Sequence, residues 1–138
     1  MDFGVYNYGI VLPGFVVPEH YSEPWKIHTA DPFPYFPTEI RDIFLQRNVR
    51  KVPPLAGKID HDIDGKLPGN WFEQNTNWYA GLNEDRYWEG HLSVSPEYID
   101  PTQWIFSIGH WPGKHDGSGA AQYLIVNPNP NPQEVNVN

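Results

Sequence analysis

Between residues 13 and 37, prolines recur at positions 13, 18, 24, 32, 34 and 37. Each one fixes its own φ and removes a backbone donor, so neither a regular ladder nor a long helix survives this spacing. The stretch is therefore expected to run as an extended arm. It also carries Phe15, Tyr21, Trp25, Phe33, Tyr35 and Phe36. Rings in such number call for a surface to cover them, which a solvated linker does not need. Across the 138 residues, 12 Gly, 15 Pro and 6 Trp point to short strands joined by many turns. That composition excludes a helical bundle and a simple disordered chain.

The rest of the chain reads in the same way. Phe3 to Leu12 is rich in Val, Tyr and Ile and is expected to form one or two strands, broken near Asn7 or Gly9. Thr38 to Arg47 is the one good helix: Thr38 can cap it, Pro37 cannot continue a helix from before it, Glu39 lies in its first turn, and Ile40, Ile43, Phe44 and Arg47 share a face. Lys58 to Asp64 alternates, with Ile59, His61 and Ile63 on one face and Asp60, Asp62 and Asp64 on the other. The Ile face is expected inward, Asp64-Gly65 should turn, and Leu67 to Glu73 should return. Tyr87 to Ser95, Trp104 to Ile108 and Tyr123 to Val126 complete the strands, with a Gly-rich loop at 109–119. The expected fold is mainly β: a small antiparallel barrel or sandwich with one short helix at about 38–47 and an extended Pro-rich arm and tail. Three parts follow: 1–37 as N-terminal strand(s) plus arm, 38–126 as the β-rich domain, and 127–138 as an Asn/Pro-rich tail. The tail cannot build a core of its own.

Charge narrows the partners. Lys+Arg number 9 and Asp+Glu 17, a net charge of −8, which argues against nucleic acid and against an anionic membrane surface. No apolar run reaches the roughly 18 residues that a membrane span needs. The absence of Cys removes disulfides, thiolate metal sites and cysteine nucleophiles. The opening MDFGVYNYGIVL lacks the basic region and long apolar core of a signal peptide.

Four groups of residues carry candidate chemistry. Asp60-x-Asp62-x-Asp64-Gly65 places carboxylates at positions 1, 3 and 5 of a loop, the pattern that wraps Ca²⁺. Position 12 is Trp71 rather than Glu, so the EF-hand form fails. The other reading of the three acids is the solvated face of a strand. Trp78, Tyr79 and Trp111 lie in loop-like runs beside amides and are candidates to cover the C–H faces of a carbohydrate. Trp71, Trp88 and Trp104 lie in strand-like runs and are expected in the core. His61, His91, His110 and His115 with Asp116 could suit zinc, although no pair has helical ligand spacing. Glu73, Glu84, Asp85, Glu89 and Glu97 could supply an acid pair for a hydrolase, but their spacing singles out none. The Gly69-Asn70-Trp71 triplet favours a barrel and goes no further.

Three blocks of sequence, the opening MDFGVYN, the run GKIDHDIDGKLPGNWFEQNTNWYAG continuing into YWEGHLSVSPEYIDPTQWIFSIG, and QYLIVNPNPNP, carry a family resemblance. They resemble the C-terminal part of bacterial surface proteins whose front half is similar to the lysostaphin-like zinc endopeptidases. In that peptidase family a late strand bears a His-x-His-Phe motif, which supplies a zinc ligand and a catalytic His. Asp2 falls where the second His would stand and Phe3 matches the Phe. The upstream His-x-x-x-Asp motif has no counterpart, since no His here is followed by Asp four residues later. The resemblance implies the end of a degenerate peptidase-like fold with an appended β-rich domain, secreted or at the cell surface, without peptidase activity.

The expectation from sequence is thus a non-enzymatic domain that works in assembly or protein interaction. The arm (13–37) and tail (127–138) would grip another copy of the chain or a missing N-terminal domain. A carbohydrate- or calcium-binding module is the first alternative and an acid-pair hydrolase the second.

Overall fold

A computed structural model describes residues 4–21, 23–110 and 119–137. Its centre is one antiparallel sheet of four strands in the order β1-β2-β3-β4: β1 Gly69–Phe72, β2 His91–Pro96, β3 Trp104–Ile108 and β4 Ala121–Ile125. The expected antiparallel β architecture is present, but the sheet stays open and does not close into a barrel. β3 spans the apolar run WIFSI, whose residues read as a strand in isolation. β2 begins at His91 rather than Tyr87, because Glu84–Gly90 coils into 3₁₀ turns. The Asn83 side chain, which accepts from the Asp85 N–H, starts that coil.

Register sorts the side chains. Leu92, Val94 and Pro96 pair with Ile108, Phe106 and Trp104, which pair in turn with Ala121, Tyr123 and Ile125. This face is apolar, and it contains Val94 and Trp104, the most deeply buried large side chains. The opposite face carries Asn70, Ser93, Ser107 and Gln122 in one line across all four strands.

Two helices have the α form, α1 Pro24–Ile27 and α2 Thr38–Arg47. α2 matches the expected helix, but it buries none of its residues: Ile40 and Ile43 remain exposed. Phe44 meets Phe36 edge-on at 5.0 Å, so that ring packs on the arm.

The arm is not simply extended. Short helical turns form at Pro18–His20, α1 and Phe33–Tyr35, each with a proline in its first turn. A proline's fixed φ suits that position and its missing N–H is not needed there. The expected N-terminal strand is also different. Tyr6 makes a single bridge to Thr29, the Asn7 N–H donates to the His28 carbonyl and that of Leu12 to the Ile27 carbonyl. A turn from Asn7 to Ile10 and the helical partner segment prevent a continuous ladder.

The largest departure lies at 58–64. This segment joins no strand of the sheet, and its faces are inverted relative to expectation: Asp60 is 3% exposed while Ile59 is 46% exposed. Gly65, at φ +69, makes the expected turn, closed by the Lys66 N–H donating to the Ile63 carbonyl. The tail folds back on that turn. The Leu67 N–H donates to the Val135 carbonyl and the Val137 N–H to the Gly65 carbonyl, while Lys66 Nζ lies 2.6 Å from Asn136 Oδ1. Asn131 and Glu134 form a reciprocal cap, and Pro132 is buried.

Trp104 is 2% exposed and its indole N–H has no acceptor among the described residues. Trp104→Ala should therefore cost about 3–5 kcal/mol of stability. Trp104→Phe should cost clearly less, because it also removes the unpaired donor. Urea unfolding of the two variants measures the difference.

Candidate functional site

The three aspartates do different jobs. Asp60 Oδ2 accepts the Gly14 N–H at 2.8 Å, and Lys58 Nζ lies 3.9 Å from its other oxygen. Asp62 Oδ2 accepts the Val16 N–H at 3.2 Å and the Tyr21 hydroxyl at 3.5 Å. Asp62 Oδ1 accepts the Asn70 N–H at 3.0 Å, while the Asp62 N–H donates to the Gly14 carbonyl. Two carboxylates thus clasp the arm to β1. Gly14 allows the approach: a Cβ there would come within 2.1 Å of the Asp60 carbonyl oxygen. Asp64 stands apart in the exposed turn. Among the described residues, no group of three or more His, Asp or Glu side chains is arranged to hold a metal ion.

A groove of about 310 Å³ opens beside the clasp. It brings Asp62 and Asp64 together with Trp78, and adds Trp71, Phe72 and His20. Trp78 is half exposed, sits at φ +51 and stacks on His20 at 4.5 Å between ring centres. Such a φ is uncommon for a bulky residue and costs about 1–3 kcal/mol. Trp71, expected in the core, is partly exposed; its indole N–H donates to the Leu67 carbonyl at 2.9 Å. Trp88 is likewise exposed, so Trp104 alone of the three strand-like tryptophans is buried.

Tyr79 lies elsewhere, packed with Tyr21, Phe72, Tyr87 and His91 and covered by Lys26 Nζ at 4.6 Å. Trp111, His115 and Asp116 fall outside the described residues. The remaining candidate histidines serve structure: His61 Nε2 contacts the Lys58 carbonyl at 2.7 Å and His91 Nε2 the Trp78 carbonyl at 3.2 Å. His110 lies 3.7 Å from Glu73. Of the acids, Glu89 is buried and pairs with Arg86 at 3.2 Å, and Glu97 caps the Ile99 and Asp100 N–H groups.

The line Asn70–Ser93–Ser107–Gln122 escaped the sequence reading, because Ser at alternate strand positions looks like any outward face. These four residues floor a depression of about 560 Å³, walled by Tyr79, Tyr87, Trp88 and His91. Asn70 is held in place by its Nδ2, which donates to the Tyr21 hydroxyl at 3.0 Å.

The two outer strands of the sheet differ. Beside β1, Asp62 takes the Asn70 N–H, and the tail pairs with the adjoining turn. Along β4, no backbone bond beyond the β3 ladder forms among the described residues. No charged residue lies within Ala121–Ile125, and Tyr123 and Leu124, on opposite faces, are both exposed. No protein-family model, curated protein or solved structure matches the chain.

Removing the Asp62 carboxylate strands several donors at once. Asp62→Ala should cost about 3 kcal/mol, with or without calcium, as read by chemical denaturation; an effect seen only with calcium present would assign the acids to the ion.

Burial holds His61 and His91 below the usual imidazole range, so the fold favours their neutral forms. The unfolded chain then binds more protons once pH drops below about 6.5, and stability present above that pH is lost on acidification. Burial first, and next Asp62 for Tyr21 and Tyr87 for Tyr79, raises both phenols above their ordinary range. Their contribution is complete below about pH 10 and is lost as pH rises further. Denaturation followed from pH 5 to pH 11 should show both flanks. His91→Gln should flatten the acid one.

Proposed function

We propose that this chain is a non-enzymatic interaction domain that assembles with a second copy of itself by pairing β4 with β4 across a two-fold axis. Support comes from one observation: among the described residues, β4 forms no backbone bond beyond its ladder with β3. An uncovered strand edge is a template for another strand, and soluble proteins usually blunt such edges with charge, proline or a bulge. None of these devices lies within Ala121–Ile125. Two antiparallel copies of one strand are self-complementary under two-fold symmetry. The net charge of −8 discourages approach elsewhere, but this strand carries none of it.

The arm and tail are both tied to the chain's own β1 side, the arm through Asp60 and Asp62 and the tail through the 65–67 turn. The assembly proposed here uses the sheet edge instead. No helix among the described residues is long and apolar enough to cross a membrane. A secreted or cell-surface setting rests on the sequence resemblance.

Sedimentation velocity over a concentration series tests the proposal. The expected result is a monomer that becomes a dimer by tens of micromolar, and a Leu124→Lys variant that stays monomeric while unfolding at the same denaturant midpoint. A wild-type chain that remains monomeric throughout overturns it, as does a dimer indifferent to Leu124→Lys.

A further inference from the structure

We propose that the depression over the Asn70–Ser93–Ser107–Gln122 line binds an uncharged oligosaccharide, laid across the four strands. The register places Asn70 opposite Ser93, Ser93 opposite Ser107, and Ser107 opposite Gln122. With neighbouring strands about 4.8 Å apart, the line runs for about 14 Å, the length of a few sugar rings end to end.

Its chemistry is selective. The Gln122 amide and the two hydroxyls both donate and accept, which is what sugar hydroxyls require of a partner, while the Asn70 Nδ2 is spent on Tyr21 and Asp62. Ser93, Ser107 and Gln122 spend no side-chain hydrogen bond on the protein among the described residues, so their capacity is available to a ligand. Asn70 is held by its Nδ2 contact to Tyr21, and its Oδ1 is left to accept. The wall supplies the exposed rings of Tyr87 and Trp88, which can cover sugar C–H faces.

Among the described residues no Asp, Glu, Lys or Arg lines this depression, although Asn70, Ser93 and Gln122 also border an adjoining hollow that holds Arg50, Lys58, Asp62 and Glu97. An acidic ligand would meet the repulsion of a molecule with net charge −8. The volume of about 560 Å³ lies in the range of sites for small organic ligands. The site is distinct from the groove beside Trp78, although Asn70 borders both.

The test is calorimetric titration with cellohexaose, chitohexaose, laminarihexaose and hexagalacturonate, on the wild-type chain and on Leu124→Lys. The second background keeps the result independent of assembly. At least one neutral hexaose should bind, and Gln122→Ala or Ser107→Val should each weaken it about fivefold or more. Trp78→Ala should leave it unchanged. Matching denaturation midpoints confirm that the variants are folded, and Ser93→Ala replaces any that is not. Absence of binding by all neutral hexaoses at about 10 mM overturns the proposal. So does binding of the acidic hexamer alone, or binding lost in Trp78→Ala but kept in Gln122→Ala. A neutral decapeptide bound with the same Gln122 dependence, where no hexaose binds, overturns it in favour of a peptide site.

Discussion

The fold turns on two carboxylates taking the backbone of a distant segment. Asp60 and Asp62 reach Gly14 and Val16, 46 residues earlier in the chain. A carboxylate accepting backbone N–H groups makes stronger bonds than a neutral acceptor, and leaving such donors buried and unpaired is costly. Holding the arm there places Phe15 and Tyr21 in the core, with their rings 4.4 Å apart. Tyr21 then fixes Asn70 at the head of the polar line on the sheet. The clasp, the core and the sheet face are one connected arrangement. A single shift in the arm would disturb all three.

What could be read from the residues alone was whatever local chemistry decides. The helix at Thr38–Arg47, the strand at Trp104–Ile108 and the Asp64-Gly65 turn follow from apolar spacing after a proline, an apolar run and glycine's access to positive φ, although Thr38 begins the helix rather than capping it. The 58–64 segment shows the limit. Its alternation gave two faces, and the ordinary rule put the isoleucines inside. The arm reverses that choice, because its bare N–H groups reward carboxylates more than the sheet rewards Ile59 and Ile63. Asp60 and Asp62 were thus legible as special acids, although their partners were not.

The polar line on the sheet was hidden for a related reason. Ser93, Ser107 and Gln122 belong to three strands separated by loops, and only register makes them neighbours. Pattern within a strand states which residues share a face, but not which residue stands opposite which. Trp78 stood out as a loop tryptophan. Its stacking on His20 depends on the arm's path, which its crowded prolines shape through short helical turns rather than one extended run.

The unequal treatment of the outer strands has a consequence for growth. A sheet with both sides bare can add chains without end, and fibres follow. Here Asp62 takes the outward N–H of Asn70 on β1 and the returning tail pairs with the adjoining turn, while β4 makes no further backbone bond among the described residues. The β4 pairing proposed above would therefore stop at two copies rather than grow into a fibre.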